Sequence, residues 1–215
     1  MDHQYGHLFN RPAARNFLAD RAAEPDGANK LPCFGLTAPL LETAEGLSFL
    51  YQVRSPKLAQ QPGEVCFPGG RIEPGEAPDE TAVRETCEEL LVKPEQIELL
   101  GPGDILVMPF NIILYPYLSR LHNYDYTFSK AEVETVFTVP LTWLKENPPT
   151  IYKNPMYYEF SSDFPVDKLG IDNNYPYQKG ENPMYYYEYG DHIIWGMTAR
   201  MTAGFMDLID RALLA

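Results

Sequence analysis

The sequence predicts an α+β domain, and three observations carry this. Short runs rich in β-branched and aromatic residues recur between turn residues from position 31 to position 139. A helical stretch at 78 to 90 interrupts them, and an amphipathic one at 198 to 214 closes the chain. The 215 residues, 45% hydrophobic and 22% charged, suffice for one domain with a real core and an elaborated edge.

The elements follow in order. Residues 12 to 23 open with Pro12 near the first helical position and stop at Glu24-Pro25-Asp26-Gly27, so a short helix is expected. Residues 1 to 30 are assigned to an N-terminal helical extension, and 31 to 215 to the main domain. Leu31 to Leu41 and Leu47 to Val53 read as strands around a turn at Glu42 to Gly46. A loop with Pro56 and Pro62 leads to a short strand, Glu64 to Phe67, halted by Pro68-Gly69-Gly70. The helix at 78 to 90 follows. Strands are expected at 97 to 107, 112 to 119 and 132 to 139, then a short helix at 140 to 146, stopped by Pro148-Pro149. Gly101-Pro102-Gly103-Asp104 is a turn, because it lacks the Lys-Ser/Thr and the helix of a phosphate loop.

Residues 147 to 190 are dense in Tyr, Pro and Asn, and are read as an insertion. Asn154-Pro-Met-Tyr-Tyr-Glu159 recurs as Asn182-Pro-Met-Tyr-Tyr-Tyr-Glu188. Hairpin arms with tyrosines packed across strands are expected. A nucleobase-stacking wall and an aromatic homodimer interface are the functional alternatives.

Composition removes several functions. A net charge of −13 disfavours a nucleic-acid partner. No run reaches the roughly 18 apolar residues of a membrane helix. The opening Met1-Asp2-His3-Gln4-Tyr5 has no basic region before an apolar run, so no secretory signal is expected. Cys33, Cys66 and Cys87 form no CxxC pair and are expected as reduced thiols in a cytoplasmic protein. His3 and His7 read as solvated tail residues. No Gly-x-Ser-x-Gly elbow supports serine hydrolase chemistry.

The strongest signal is Gly69-Gly70-Arg71-Ile72-Glu73-Pro74-Gly75-Glu76, followed by Arg84-Glu85-Thr86-Cys87-Glu88-Glu89. At ~100° per residue, Val83, Cys87 and Leu90 make an apolar stripe, with Glu85, Glu88 and Glu89 opposite. Like charges at these spacings cost a helix roughly 0.2–0.5 kcal/mol per pair. A solvated face tolerates that, and a divalent cation turns it to advantage. The paired glycines let backbone approach a cation or ligand. Pro78, Asp79 and Glu80 suit the first turn of the helix. Loop and helix together deliver hard oxygen ligands for Mg²⁺ or Mn²⁺ to one concave site, with substrate phosphates completing the shell.

This segment resembles the Nudix box, G-x5-E-x7-R-E-U-x-E-E-x-G-U, in which U is bulky and aliphatic. Gly70, Glu76, Arg84, Glu85, Glu88 and Glu89 stand at the required positions. Thr86 replaces the aliphatic residue. Leu91 replaces the closing glycine, whose left-handed conformation Leu adopts poorly, so the helix is expected to end later, near Val92-Lys93-Pro94. The resemblance implies a Nudix α/β/α sandwich with a mixed sheet. It implies Glu85 and Glu89 as metal ligands, with Glu88 a ligand or the base. The Gly69 carbonyl would complete the coordination, Arg84 would orient the carboxylates, and Glu76 would support them. Glu132 or Glu134 would add a distal carboxylate, with an exposed strand edge as the alternative.

Residues 50 to 70, with Leu50, Arg54, Ser55, Gly63, Phe67, Pro68, Gly69 and Gly70, are similar to the coenzyme A diphosphatase subgroup. So are Glu132 to Leu141 and Ile194 to Arg200. The subgroup arginine falls at Ala59, and Arg54, Lys57 or Arg71 would have to compensate, Lys without bidentate geometry. Ser55 is carried over with them as substrate-binding. Trp195 would floor the pocket, although a core Trp is the commoner case. Met197, Met201, Phe205, Leu208 and Ile209 recur at helical spacing and read as core. The expected substrate is coenzyme A or an acyl derivative, cut to 3′-phosphoadenosine 5′-phosphate and 4′-phosphopantetheine. ADP-ribose, NADH or another nucleoside diphosphate derivative is the rival substrate class. A non-catalytic ligand-binding module is the rival function.

Overall fold

The computed structural model describes residues 11–157, 159–170 and 180–214. The tail histidines His3 and His7, and Tyr158 of the first repeat copy, lie outside them. The described elements are α1 (Pro12–Asp20), β1 (Cys33–Thr43), β2 (Gly46–Arg54), β3 (Val65–Cys66), β4 (Gly69–Arg71) and α2 (Pro78–Leu90). They continue as β5 (Ile97–Pro102), β6 (Leu106–Met108), β7 (Ile112–Leu121), β8 (Val133–Pro140) and α3 (Leu141–Glu146). The last are β9 (Thr150–Met156), β10 (Gly180–Tyr189), β11 (His192–Trp195) and α4 (Gly196–Ala212).

The main sheet is mixed. β1 runs parallel to β7 and antiparallel to β2 and β4. β2 is antiparallel to β8 and β3. The hairpin β1–β2 is tight at Glu42↔Leu47, then its strands part. On the edge of β1 facing away from β7, Phe34 to Leu36 pair with β4. On the edge of β2 facing away from β8, Gln52 and Val53 pair with β3. Phe67-Pro68 therefore sits in the fork of a split hairpin, and the Pro68 carbonyl accepts the Thr37 amide at 3.0 Å.

Alternation along the strands builds two cores. Leu36, Ala38, Leu40, Phe49 and Tyr51 point to one face, where α4 brings Ala199, Met201 and Phe205. Leu41 and Leu50 point to the other, packing with Leu90 of α2. The result is the expected α/β/α sandwich with a mixed sheet. An aromatic column ties the fork to β11: Phe67 stacks on Tyr51 (4.8 Å), Tyr51 on Phe137 (5.5 Å) and Phe137 on His192 (3.7 Å).

Several boundaries differ from expectation. The first helix ends at Asp20 and buries no residue. Gly69–Arg71 is a strand, not a loop, because β1 offers it an open edge. The expected strand at 97 to 107 breaks into β5 and β6, where the Gly103 amide turns to the Pro116 carbonyl. His192–Trp195 forms a strand that the sequence pattern did not single out. The Tyr-rich segment does form hairpin arms. β9 and β10 pair with Asn154 opposite Asn182, so the two repeat copies run head to head, and Tyr152 meets Tyr186 edge-on.

Candidate active site

Helix α2 rests on β1 at Gly35, where an added Cβ would stand 2.3 Å from the Pro78 carbonyl oxygen. The buried face of the helix is Thr81, Ala82, Thr86, Glu89 and Leu90. The expected stripe of Val83, Cys87 and Leu90 is therefore corrected: Val83 and Cys87 are only half-buried. The sheet presents Thr37 and Gln52 on this face as well as leucines, and polar helix residues answer them. Thr86 Oγ1 lies 2.7 Å from Thr37 Oγ1 and donates to the Ala82 carbonyl. That buried pair explains a Thr where an aliphatic residue was expected.

The helix ends at Leu90 and not later. Leu91 adopts the left-handed conformation (φ 54, ψ 43), and its amide donates to the Cys87 carbonyl. Leucine thus occupies the glycine's geometry in place of shifting the cap. The residue is 60% exposed, so only backbone strain opposes it.

The three helix carboxylates have three different environments. Glu89 is 3% exposed. Its Oε2 accepts the Gly69 amide at 2.9 Å, and Gln52 donates to it. The amide of Gly69 is thus the atom that meets Glu89, where the carbonyl was expected at the site. Burial pushes Glu89 up to about 7, with the Glu85 and Glu132 charges adding to the effect. Glu85 lies against the backbone of Gly70, where an added Cβ would fall 2.2 Å from its carboxyl carbon. Burial raises Glu85 too; Arg84 opposes this, while Glu88 and Glu132 reinforce it. Glu88 is exposed and meets Arg84 at 3.5 Å.

Arg84 is the local organiser. Its guanidinium grips Glu76 in a fork (Nε–Oε1 2.8 Å, Nη2–Oε2 3.0 Å) and donates to Glu85 at 2.7 Å. Glu76 also accepts the Thr81 hydroxyl at 2.6 Å and the Glu73 amide at 3.2 Å. The Arg84 hydrogen bonds, then that of Thr81, hold Glu76 down at about 2. A bidentate pair fixes direction as well as charge, so Glu85 is aimed at the glycine loop.

Glu132 is half-buried, and its charge acts on both Glu85 and Glu89. Its carbonyl accepts the Ser55 amide, and the nearby Ser129 amide donates to the Glu89 carbonyl. Glu134 is exposed at the strand edge. Among the described residues no three acidic, His or Cys side chains form a ready-made cation cage. A hard divalent cation that keeps its waters and shares substrate phosphates needs only one or two carboxylates. Glu85 and Glu89 offer that, and a cation would offset the burial, and the neighbouring Glu132 charge, that raise both. The buried, unpartnered Oε1 of Gln52 adds an oxygen acceptor beside them.

The other expected residues separate. Arg54 and Trp195 line one cavity, and Trp195 is 42% exposed there, not a core residue. Arg71 lies with Glu85 along a different, open groove. Lys57 is exposed. Ser55 is buried, and its hydroxyl accepts the Lys57 amide, so it shapes the turn. Gln52 was missed. Its signal was an amide at a strand position flanked by Tyr51 and Val53, where an apolar residue was due.

Residues 35–160 match the NUDIX domain. The chain belongs to the Nudix family. Mouse peroxisomal coenzyme A diphosphatase NUDT7 is 32% identical over 170 residues, covering 78% of this chain and 66% of the mouse protein. Caenorhabditis elegans Nudix hydrolase 3 is 29% identical over 222 residues, 94% of this chain and 87% of that one. The chain thus spans just under two thirds of the mouse relative's length. A MutT/nudix protein from Enterococcus faecalis shares the fold, with a TM-score of 0.52 at 14% identity over 98% of this chain and 75% of that chain. As a Nudix protein, the chain has relatives that are enzymes acting on diphosphate bonds, and its box folds as the loop–helix unit described above.

Proposed function

We propose that this Nudix protein hydrolyses the diphosphate bond of a nucleoside diphosphate derivative, with Mg²⁺ or Mn²⁺ held by Glu85 and Glu89. Coenzyme A or an acyl-coenzyme A is the leading substrate, with 3′-phosphoadenosine 5′-phosphate and 4′-phosphopantetheine as products. The observation that carries the chemistry is the placement of Glu85 and Glu89 on the backbone of Gly70 and Gly69. Two partly desolvated carboxylates meet the backbone of β4, where the absence of side chains at Gly69 and Gly70 leaves room for them. The coenzyme A assignment draws support from the mouse relative and from the Arg54 to Gly70 segment.

A cation held there would supply Lewis-acid chemistry, easing deprotonation of water and offsetting the diphosphate charge. The chain's own residues do the rest. Arg84 and Glu76 hold Glu85 in register. Glu132, facing both ligands, is positioned to accept the proton of the attacking water, and Glu88 is the alternative base. The three unpaired cysteines fit the proposed reducing, cytoplasmic setting. One observation favours another substrate: Ala59 is exposed and offers no guanidinium to the phosphates.

Product analysis by mass spectrometry decides. Purified protein is incubated with either cation and coenzyme A, acetyl-coenzyme A, ADP-ribose, NADH and nucleoside triphosphates, beside a Glu85→Gln/Glu89→Gln variant. Phosphopantetheine formed by the wild type alone supports the proposal. Cleavage of ADP-ribose or NADH alone keeps the chemistry and discards the substrate. No cleavage, with no cation-induced rise in melting temperature, points to a ligand-binding module.

A further inference from the structure

We propose that the cavity beside the fork is a subsite for the apolar chain end of the substrate, walled by the Tyr-rich insertion. The proposal rests on the diphosphatase reading above. The cavity has a volume of about 230 Å³. Small-molecule sites run from about 300 Å³ upward, so it fits one end of a nucleotide derivative and not the whole. Its apolar wall is Met108 and Phe110 from the β6–β7 turn, Met184 from β10, and Trp195 and Met197 from the β11–α4 junction. Three methionines give a soft wall that adapts to chains of different length.

The polar groups suit a charged neck on an apolar tail. Arg54 and Arg200 border the cavity, and among the described residues neither forms an ion pair. A register shift in the β2–β8 pairing falls between Val53 and Arg54. The extra residue is Glu134 on β8, and the Arg54 guanidinium donates to the Gln60 carbonyl at 3.4 Å, which holds it beside the cavity. Gln61, Glu64 and Asn182 also line the cavity, while the Thr198 hydroxyl in its wall is already bonded to the Val65 carbonyl at 3.0 Å.

The cavity is also close enough to the carboxylates. Cys66 lines it, and Gly69 follows three residues later, at most ~11 Å along the chain. Cys66 also accepts the Gln52 amide at 3.5 Å, and Gln52 donates to Glu89. A substrate with its diphosphate at Glu85 and Glu89 can therefore lay its far end past Arg54 into the cavity. Met184 lies outside the matched domain span of 35–160. Chain-length preference would then be set by the insertion, and the chemistry by the box.

Isothermal titration of the full chain without added metal, using free, acetyl-, butyryl- and hexanoyl-coenzyme A, tests this. Each fully buried methylene should tighten binding about fourfold, so burying even two of the four added from acetyl to hexanoyl gives a gain of at least about tenfold. Met184→Trp, which fills the cavity, should erase the gain. Met184→Ala, which enlarges it, should extend the gain to octanoyl and decanoyl chains, and it decides the matter if the Trp variant does not fold. Equal affinity across the series overturns the subsite. So does a loss of affinity for 3′,5′-adenosine bisphosphate in Met184→Trp, which would give the cavity to the nucleotide. A gradient without any metal-dependent cleavage keeps the subsite and discards the diphosphatase reading; cleavage without a gradient does the reverse.

Discussion

At the scale of single residues, the two box glycines do different work. An added Cβ on Gly69 would meet the Leu36 Cβ at 2.3 Å and the Gly35 carbonyl oxygen at 2.6 Å, which are strand positions that cannot move aside. At Gly70 the obstacle is the flexible end of Glu85. Gly70→Ala should therefore fold, with its melting temperature nearly unchanged, yet lose about 100-fold in kcat, because a displacement near 1 Å at a reacting centre costs that much. Thermal unfolding and steady-state kinetics on the same preparation check both halves. Leu91 offers the opposite case. Leu91→Gly should raise stability by about 1 kcal/mol in denaturant unfolding, since it removes left-handed strain from an exposed side chain. A stability loss would mean that Leu91 packs against something.

At the scale of elements, α2 is held to β1 by a threonine pair as well as by apolar packing. Thr86 donates to the Ala82 carbonyl, which leaves Thr37 to donate to Thr86. The two deletions should be unequal. Thr86→Val strands the fully buried Thr37 hydroxyl and should cost about 1–2 kcal/mol. Thr37→Val leaves Thr86 bonded to its own helix and should cost less than half as much. The double variant should match Thr37→Val, and a double-mutant cycle of urea unfolding measures this.

The sequence made the start of α2 legible to the residue, because Pro78 and the acidic spacing are local, whereas Leu91 pointed to a later end than the one at Leu90. The direction of its buried face was not local. It depended on which strand residues lay beneath, and a buried carboxylate at Glu89 is intelligible only with Gln52 and the Gly69 amide in place. Strands β4 and β11 were unreadable for a related reason. Each is short, and each exists because another strand supplies an open edge. The burial of Ser55 and the exposure of Trp195 were not legible either, since a serine flanked by Arg54 and Pro56 and a tryptophan next to Gly196 carry no local mark of burial.

At the scale of the molecule, acid should weaken the fold through Glu76. Its folded-state pKa of about 2 lies below the ordinary value of 4.5. Its contribution is therefore complete above pH 4.5 and disappears as pH falls toward 2. Melting temperature should fall across that window, and Glu76→Gln should flatten that limb of the curve. An unchanged acid limb in the variant would assign acid sensitivity to other carboxylates.

The parallel pair β1–β7 joins Cys33 to Ile113 and Leu40 to Arg120. The two strands are about eighty positions apart, so this closure is expensive in chain entropy and slow to find. During synthesis, β1, the fork and the acidic helix leave the ribosome well before their partner strand exists. Until residue 121 is out, β1 keeps a bare edge beside an unneutralised cluster of acids. Refolding in stopped-flow experiments should accordingly fall in the millisecond-to-second range, and the carboxylates that serve the finished protein would also help keep that unfinished edge from pairing with a neighbouring chain.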